Sequence, residues 1–402
     1  MKSHNDLEVG VFGQGYVGLP LAIALVKAGY KVVGFDLDRE KIQQISTGLS
    51  PILDISDLDI QELLNSQNYT ATSDLNDCIN TTVKIVCVPT PLTNDNNPDF
   101  YFVTKATELI GSIMNDRDIV IIESTISIGT TRNLILNLLN EKAKTKSLSF
   151  DLVYSPERID PGSKNWNLNN TPKLISGLNE ASLNRGCQIY SKFIKDLVVC
   201  SSFEIAEAAK LLENTFRFVN ISFINELSML LRKVNIDVLE VIQAAATKPY
   251  GFMQFFPSIG VGGHCIPVDP IYLTSFADNV GFQMHSVNTA VQINNALPDY
   301  FAKLANDFLG GLENKKILIV GIAFKKNISD TRESSSIKLL VELRKLGANV
   351  DWHDELVKCW NGETTTKISD NYELLVLSTP HDYLKLSDVR NVPILDTRGF
   401  IL

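Results

Sequence analysis

The segment LEVGVFGQGYVGLPLAIALVKAGYKVVGFDLD, residues 7–38, constrains the fold more than any other. Val9 to Phe12 is a short apolar run that predicts a strand, and Leu19 to Lys27 repeats apolar residues at helical spacing. Gly29 supplies a stop for that helix, and a second apolar run ends at Asp36. The order is therefore strand, glycine turn, helix, strand. Further short apolar runs at VKIVCVP, DIVIIES, FDLVYSPE and PKLISG alternate with helical patterns such as YFVTKATELIGSIM. Strands alternating with helices predict a parallel sheet covered on both faces.

GQGYVG sets Gly13, Gly15 and Gly18 at G-x-G-x-x-G spacing between strand and helix. Such a turn brings a pyrophosphate against free amide groups at a helix N-terminus, where the helix dipole favours an anion. Asp36 lies at about the 20-residue distance where a carboxylate meets the adenosine ribose. That carboxylate would repel a ribose phosphate, so the expected cofactor is NAD rather than NADP. Gly13, Gly15, Tyr16, Val17, Gly18 and Asp36 are its candidate contacts. Strand ends are where ligands bind in this architecture. Thr90, between two prolines in CVPTPL, either touches the cofactor or sits in a rigid turn, and Thr125 in ESTISIGTT has a similar position near the nicotinamide.

From about Ser202 the pattern changes. Thirty-odd residues without proline or glycine, SFEIAEAAKLLENTF onward, repeat apolar positions every three or four residues and predict one long helix that joins domains and supplies a dimer contact. SVNTAVQINNALPDYFAKLANDFL predicts a helical return, and a second strand–loop–helix–strand unit begins at KKILIVGIAFKK. The expected division is 1–201, a Rossmann-type NAD-binding domain; 202–311, a central helical domain; and 312–402, a Rossmann-like α/β domain.

With 402 residues and 45% hydrophobic content the chain can bury more than one core. Its net charge of -9 argues against nucleic acid or a membrane surface as partner. The polar N-terminus and the lack of a long apolar run predict a cytoplasmic protein. Six cysteines, Cys78, Cys87, Cys187, Cys200, Cys265 and Cys359, show neither pairing nor metal-type spacing, as suits a reducing compartment. Five read as buried or half-buried thiols.

Cys265 differs, standing in GVGGHCIPVDP after a run of glycines that let a backbone turn and a substrate approach. Glu157 and Arg158 follow a strand in YSPERIDPG, and they read as a base or water-organising carboxylate with an anion-binding guanidinium, or as a structural ion pair. Lys210 and Asn214 project from one face of the long helix, where they either join Cys265 or face water. His264 either tunes the neighbouring thiol or packs.

Taken in order, VFGQGYVGLPLA, SPERIDPG, AKLLENTFR, GVGGHCIPVDP and GIAFKKNISDTRESSS resemble the UDP-glucose/GDP-mannose dehydrogenase family over nearly the whole chain, most closely its bacterial branch acting on UDP-N-acetylhexosamines. The resemblance implies oxidation of a sugar's primary alcohol to a carboxylate with two NAD, and a C-terminal domain that binds the UDP-sugar. Cys265 matches the nucleophile, carrying a thiohemiacetal and then a thioester. Lys210 and Asn214 match the pair that steadies an oxyanion, Asp269 and Glu157 carboxylates that position and activate water, and Thr125 a catalytic-site threonine. Lys325 matches a substrate-binding lysine, Arg332 an arginine reaching the cofactor, and Phe256 and Gly260 part of a uridine- and sugar-contacting loop, with Lys248 a phosphate contact. No metal is implied. The leading substrate is UDP-N-acetylglucosamine, for a surface polysaccharide; its galacto and manno epimers and UDP-glucose are the alternatives, followed by a one-step β-hydroxyacid dehydrogenase and a non-catalytic NAD-binding protein. A homodimer or larger assembly is expected. The ending DTRGFIL and the short segment LVKCWNGETTTKISDNYEL depart from the family pattern and leave the details of the UDP pocket and oligomer packing open.

Overall fold

The computed structural model describes residues 7–52, 55–159, 166–382, 384–386, 389 and 391–398. Packing groups the chain into two units, Met1–Leu212 with Ile271–Phe276, and Glu213–Pro270 with Ala277–Leu402.

The first unit is built on β1 (Glu8–Phe12), α1 (Gly18–Lys27), β2 (Lys31–Phe35), α2 (Arg39–Ser46), α3 (Asp57–Asn65), β3 (Tyr69–Thr72), β4 (Val83–Val86), α4 (Tyr101–Ile113), β5 (Asp118–Ile122), α5 (Leu136–Lys146), β6 (Phe150–Tyr154), β7 (Lys173–Gly177), α6 (Glu180–Tyr190) and β8 (Leu197–Val199). Its strands lie in the order β3-β2-β1-β4-β5-β6-β7-β8. The order reverses between β1 and β4, and ligands of open α/β sheets bind outside the strand ends at such a reversal. Alternate side chains enter two cores. Val9, Val11, Ile85, Ile121 and Val153 pack on one face, while Phe12, Val86, Ile122, Leu152 and Tyr154 pack on the other.

The expectation of an all-parallel sheet fails at one step, because β6 and β7 are antiparallel. A parallel return needs a crossover, usually helical. The described residues between these strands, 155–159 and 166–172, form no helix.

The helix α7 (Phe203–Lys233) runs 31 residues as the apolar spacing predicts, followed by α8 (Val238–Ala246), α9 (Asp269–Asn279) and α10 (His285–Leu309). In the second unit β9 (Lys316–Val320), α11 (Ser335–Lys345), β10 (Asn349–His353), the small hairpin β11 (Cys359–Trp360) and β12 (Glu363–Thr364), β13 (Leu374–Leu377) and β14 (Ile394–Asp396) follow. The parallel sheet here has the order β10-β9-β13-β14, with its reversal between β9 and β13. Ile317, Ile319, Leu374 and Val376 face a core shared with Leu297 and Phe301 of α10, and Leu318, Val320, Leu375 and Leu377 face a smaller one.

Both sheets solve the reversal in the same way. Gly13 follows β1 with φ +99°, and a Cβ there would lie 2.6 Å from the Cys87 carbonyl oxygen. Gly321 follows β9 with φ +87°, and its Cβ would lie 2.0 Å from the Thr379 carbonyl oxygen. Only glycine permits that conformation at so close an approach. Among the described residues no helix is long and apolar enough to cross a membrane. None of the six cysteines forms a disulfide, and Cys359 is exposed rather than buried, because it lies on the short β11 hairpin.

Candidate active site

In the first unit the glycine turn crosses the ends of β1 and β4. Gly13 N–H donates to Phe35 O at 2.8 Å, and Gln14 N–H donates to Asp36 Oδ2 at 2.8 Å, which ties the turn to the end of β2. The fully buried Gln14 side chain locks the turn by donating to Val11 O and accepting from Tyr69 OH at 2.7 Å. A Cβ on Gly18 would lie 1.8 Å from Gly13 O, but one on Gly15 would meet nothing within 4 Å. Thus two glycines are demanded by the protein's own packing, and the third leaves room above the turn. Tyr16 and Val17 are half-buried beside it, and no side chain caps the N-terminus of α1. By contrast, α2 and α3 are capped by Asp38 and Ser56. Open space over Gly15, uncapped amides and the Asp36 carboxylate at the next strand end fit a dinucleotide's pyrophosphate and ribose. Lys41, which sequence reading missed, pairs with Asp36 at 2.7 Å and fixes its direction.

Thr90 and Thr125 follow the adjacent strands β4 and β5 and are half-buried; Ser124 Oγ donates to Val88 O at 2.7 Å and holds those two ends together. Glu157 follows β6. Burial pushes its carboxyl up to about 7, against the pull of Lys210 and Lys173, while Glu123 adds to the rise. Glu157 and Lys210 are thus brought together as acid and cation, with Lys210 only 7% exposed. Arg158 donates to Pro172 O at 2.6 Å. The Asp160–Gly162 end of that motif lies outside the described residues. One turn before Lys210, the buried Glu207 accepts from Gly129 N–H at 2.6 Å and Thr131 N–H at 2.9 Å, anchoring α7 to the loop that follows Thr125.

In the second unit the Cys265 loop is held from below. Asn225 of α7 accepts from Ser258 N–H at 2.8 Å, and Asn294 of α10 accepts from Val261 N–H at 2.7 Å. The glycines of GVGG serve close packing rather than an open approach for substrate. A Cβ on Gly260 would lie 2.9 Å from Ser335 Oγ, one on Gly262 2.7 Å from Glu333 O, and one on Gly263 2.8 Å from the Phe324 ring. These contacts lay the cysteine loop directly on the segment from Phe324 to Ser335, which carries Lys325 and Arg332. Cys265 is exposed, and its carbonyl accepts from Asp269 N–H at 2.9 Å as α9 begins. Asp269, 3% exposed, accepts from Asn214 Nδ2 at 2.5 Å. Cys265 is therefore tied to Asp269 through the main chain, and Asp269 to Asn214 through its side chain.

His264 packs edge-on against Phe324 and lies 3.9 Å from Asp330. Burial and the Arg332 charge hold its pKa below the usual imidazole value, which favours the neutral ring. Arg332 forks onto Asp330 with contacts down to 2.6 Å. Lys325 is half-buried. Phe256 and Lys248 are exposed, the latter with its ammonium 4.9 Å over the Tyr250 ring. The sequence reading missed Asp354 and His381. Asp354 accepts from Ile322 and Ala323 N–H at 2.9 and 3.1 Å and pairs with His381 Nε2 at 3.0 Å, while His381 Nδ1 accepts from Asn327 N–H at 2.8 Å. Both ends of the Lys325 loop are thereby fixed to the strand ends.

Comparison with known proteins matches three consecutive parts of the UDP-glucose/GDP-mannose dehydrogenase family: the NAD binding domain to residues 7–194, the central domain to 204–296 and the UDP binding domain to 318–401. A UDP-N-acetyl-D-mannosamine dehydrogenase of Pyrococcus horikoshii is 32% identical over 407 residues, covering 98% of this chain and 96% of that one. A UDP-N-acetyl-D-glucosamine 6-dehydrogenase of Pseudomonas aeruginosa is 33% identical over 404 residues, covering 96% and 93%. The solved structure of the Pyrococcus horikoshii UDP-D-ManNAc dehydrogenase superposes with a TM-score of 0.88 at 30% identity, over 98% of this chain and 95% of that one. With an NAD-binding turn at one sheet reversal and the cysteine loop packed on the other domain's strand-end loop, the chain belongs to the UDP-glucose/GDP-mannose dehydrogenase family of NAD-dependent UDP-sugar dehydrogenases.

Proposed function

We propose that this protein oxidises the C6 primary alcohol of a UDP-N-acetylhexosamine, UDP-N-acetylglucosamine first, to the carboxylate, reducing two NAD per sugar. The observation that carries the reading is the exposed Cys265 one turn before the buried Asp269, which is bonded to the half-buried Asn214, on a loop packed against the Lys325 segment. The names of the relatives point to N-acetylated sugars.

Bound at the Gly13–Gly18 turn and Asp36, with Thr90, Thr125 and Arg332 as further contacts, NAD supplies a hydride acceptor. The alcohol loses a hydride and a proton and becomes an aldehyde. The Cys265 thiolate then adds to the carbonyl carbon, forming a C–S bond, and the oxygen takes up a proton to give a thiohemiacetal. A nucleophile is required because only the tetrahedral adduct has a second hydride to give. Lys210 and Asn214 steady the oxyanion. Loss of that hydride and of the hydroxyl proton leaves a thioester, and water then breaks the C–S bond to release the acid and restore the thiol. Glu157 and Asp269 direct that water; a carboxyl with a pKa near 7 can take its proton at neutral pH. The UDP-sugar is held by Lys325, Gly260, Phe256, Arg158 and Lys248. The proposed division of labour is 1–201 for NAD, 202–311 for the cysteine loop and 312–402 for UDP.

NADH absorbance with UDP-N-acetylglucosamine, its galacto and manno epimers and UDP-glucose in parallel tests the substrate. The reading expects the fastest rate with UDP-N-acetylglucosamine, and turnover of UDP-glucose alone would overturn it. A homodimer through α7 is part of the proposal. Leu212, Phe216, Phe223 and Leu230 recur at seven- and four-residue spacing along one stripe and remain exposed. Phe223→Asp should sediment as a monomer if that stripe is the interface, and an unchanged assembly would refute it.

A further inference from the structure

Behind Glu157 lies a buried group of three that the reaction scheme does not use. Glu123, immediately after β5, is 1% exposed; Lys173, the first residue of β7, is 4% exposed; Tyr190, the last residue of α6, is fully buried. Lys173 Nζ pairs with Glu123 Oε2 at 2.7 Å, and Tyr190 OH donates to Glu123 Oε1. The ammonium also lies 5.1 Å over the Tyr190 ring. Two contacts leave this trio for the peptide between Pro156 and Glu157. Glu157 N–H donates to the Glu123 carbonyl at 3.2 Å, and Lys173 Nζ donates to the carbonyl of Pro156 at 3.3 Å.

Burying an ion pair in a core is a poor route to stability, since apolar residues of similar volume usually do as well. We propose that Glu123, Lys173 and Tyr190 form a positioning device for Glu157, pinning the backbone beside it and setting a fixed charge behind its carboxyl, so that Lys173 and Glu123 act on the reaction through Glu157. The inference rests on the reading of Glu157 as the carboxyl that handles water. Among the described residues, the charged or titratable groups acting on Glu157 include Lys210 from α7, Lys173 from β7, Glu123 after β5 and the Cys87 thiol after β4. Lys173 favours the ionised carboxyl and Glu123 opposes it, the lysine more strongly. Removing the two charges one at a time therefore has opposite consequences, which a purely structural staple cannot produce.

The test is the pH profile of kcat for UDP-sugar oxidation by the full chain, with Lys173→Met, Glu123→Gln and Lys84→Met. Lys84 is the control, because it forms an equally buried pair with Asp118 at 2.6 Å in the same sheet. Urea unfolding of each variant reports folding separately. The acid-side midpoint should rise in Lys173→Met by roughly half a unit or more, as expected when a close opposite charge is lost. It should fall in Glu123→Gln and stay at the wild-type value in Lys84→Met. If Lys173→Met does not fold, the near-isosteric Glu123→Gln decides alone. Wild-type midpoints in the folded Lys173 and Glu123 variants, or an equal shift in the Lys84 control, would overturn the proposal. Glu157→Gln separates the two ideas. If it retains the wild-type kcat and profile, the underlying reading of Glu157 is wrong; if it removes the acid limb while the Lys173 and Glu123 variants match wild type, only the positioning device fails.

Discussion

Alanine at Gly15 and at Gly18 should break the protein in different ways. At Gly18 the new methyl would sit 1.8 Å from Gly13 O and 3.1 Å from Cys87 Cβ. The first obstacle is backbone, so no rotamer relieves it and the turn itself must shift. Overpacking of this kind costs about 1–3 kcal/mol, and more where the chain cannot yield. At Gly15 the methyl meets nothing within 4 Å, and the residue has no left-handed φ. Replacing such a glycine stabilises the apo protein by about 0.4–1 kcal/mol through the unfolded chain, while the methyl occupies space the pyrophosphate needs. NAD at 100 times its Kd stabilises the wild type by about 2.7 kcal/mol. At about 2–4 °C per kcal/mol for units of this size, that is a shift of about 5–10 °C in the transition that responds to NAD. Thermal melts with and without NAD should show Gly15→Ala with an undiminished apo Tm and no NAD shift, and Gly18→Ala with a lowered apo Tm as well. A full NAD shift in Gly15→Ala would refute the assignment of the open space above the turn to the cofactor.

Asp354 supports the Lys325 loop with acceptors for several buried amides, so Asp354→Ala strands donors that cost about 1–3 kcal/mol each. It should abolish thermal protection by UDP while leaving the NAD-dependent shift, and retained UDP protection would contradict the role given to that loop. Glu204 is held down to about 2 by its hydrogen bond to Arg132. Its folded-state pKa lies below the unfolded value, so its stabilisation is present above the ordinary glutamate range and is lost as pH falls toward 2. Urea midpoints of wild type and Glu204→Gln should therefore differ at pH 6 and converge near pH 2, and a gap that persists in acid would refute the linkage.

Much of this was legible in the sequence because it is local. The β1–α1–β2 unit, the length of α7 and the cysteine loop are each written within one continuous stretch. What escaped depends on residues far apart in the chain. Lys173 meets Glu123 across fifty positions and Tyr190 meets it across sixty-seven, and nothing in LISG or CQIY marks those contacts. The glycines before Cys265 were legible as a turn, but their reason is Phe324 and Ser335, which lie 61 positions after Gly263 and 75 after Gly260. Likewise, KLISG carries the apolar run of a strand without its direction; the antiparallel pairing with β6 is not written in the run.

The central claim is a four-electron oxidation carried by Cys265. Its most direct test is the number of NADH formed per UDP-sugar, measured by absorbance with limiting sugar nucleotide run to completion in the wild type and in Cys265→Ser. The account predicts two NADH per sugar in the wild type and, in Cys265→Ser, loss of the thioester route to two NADH. One NADH per sugar in the wild type, or two at an undiminished rate in Cys265→Ser, would contradict it.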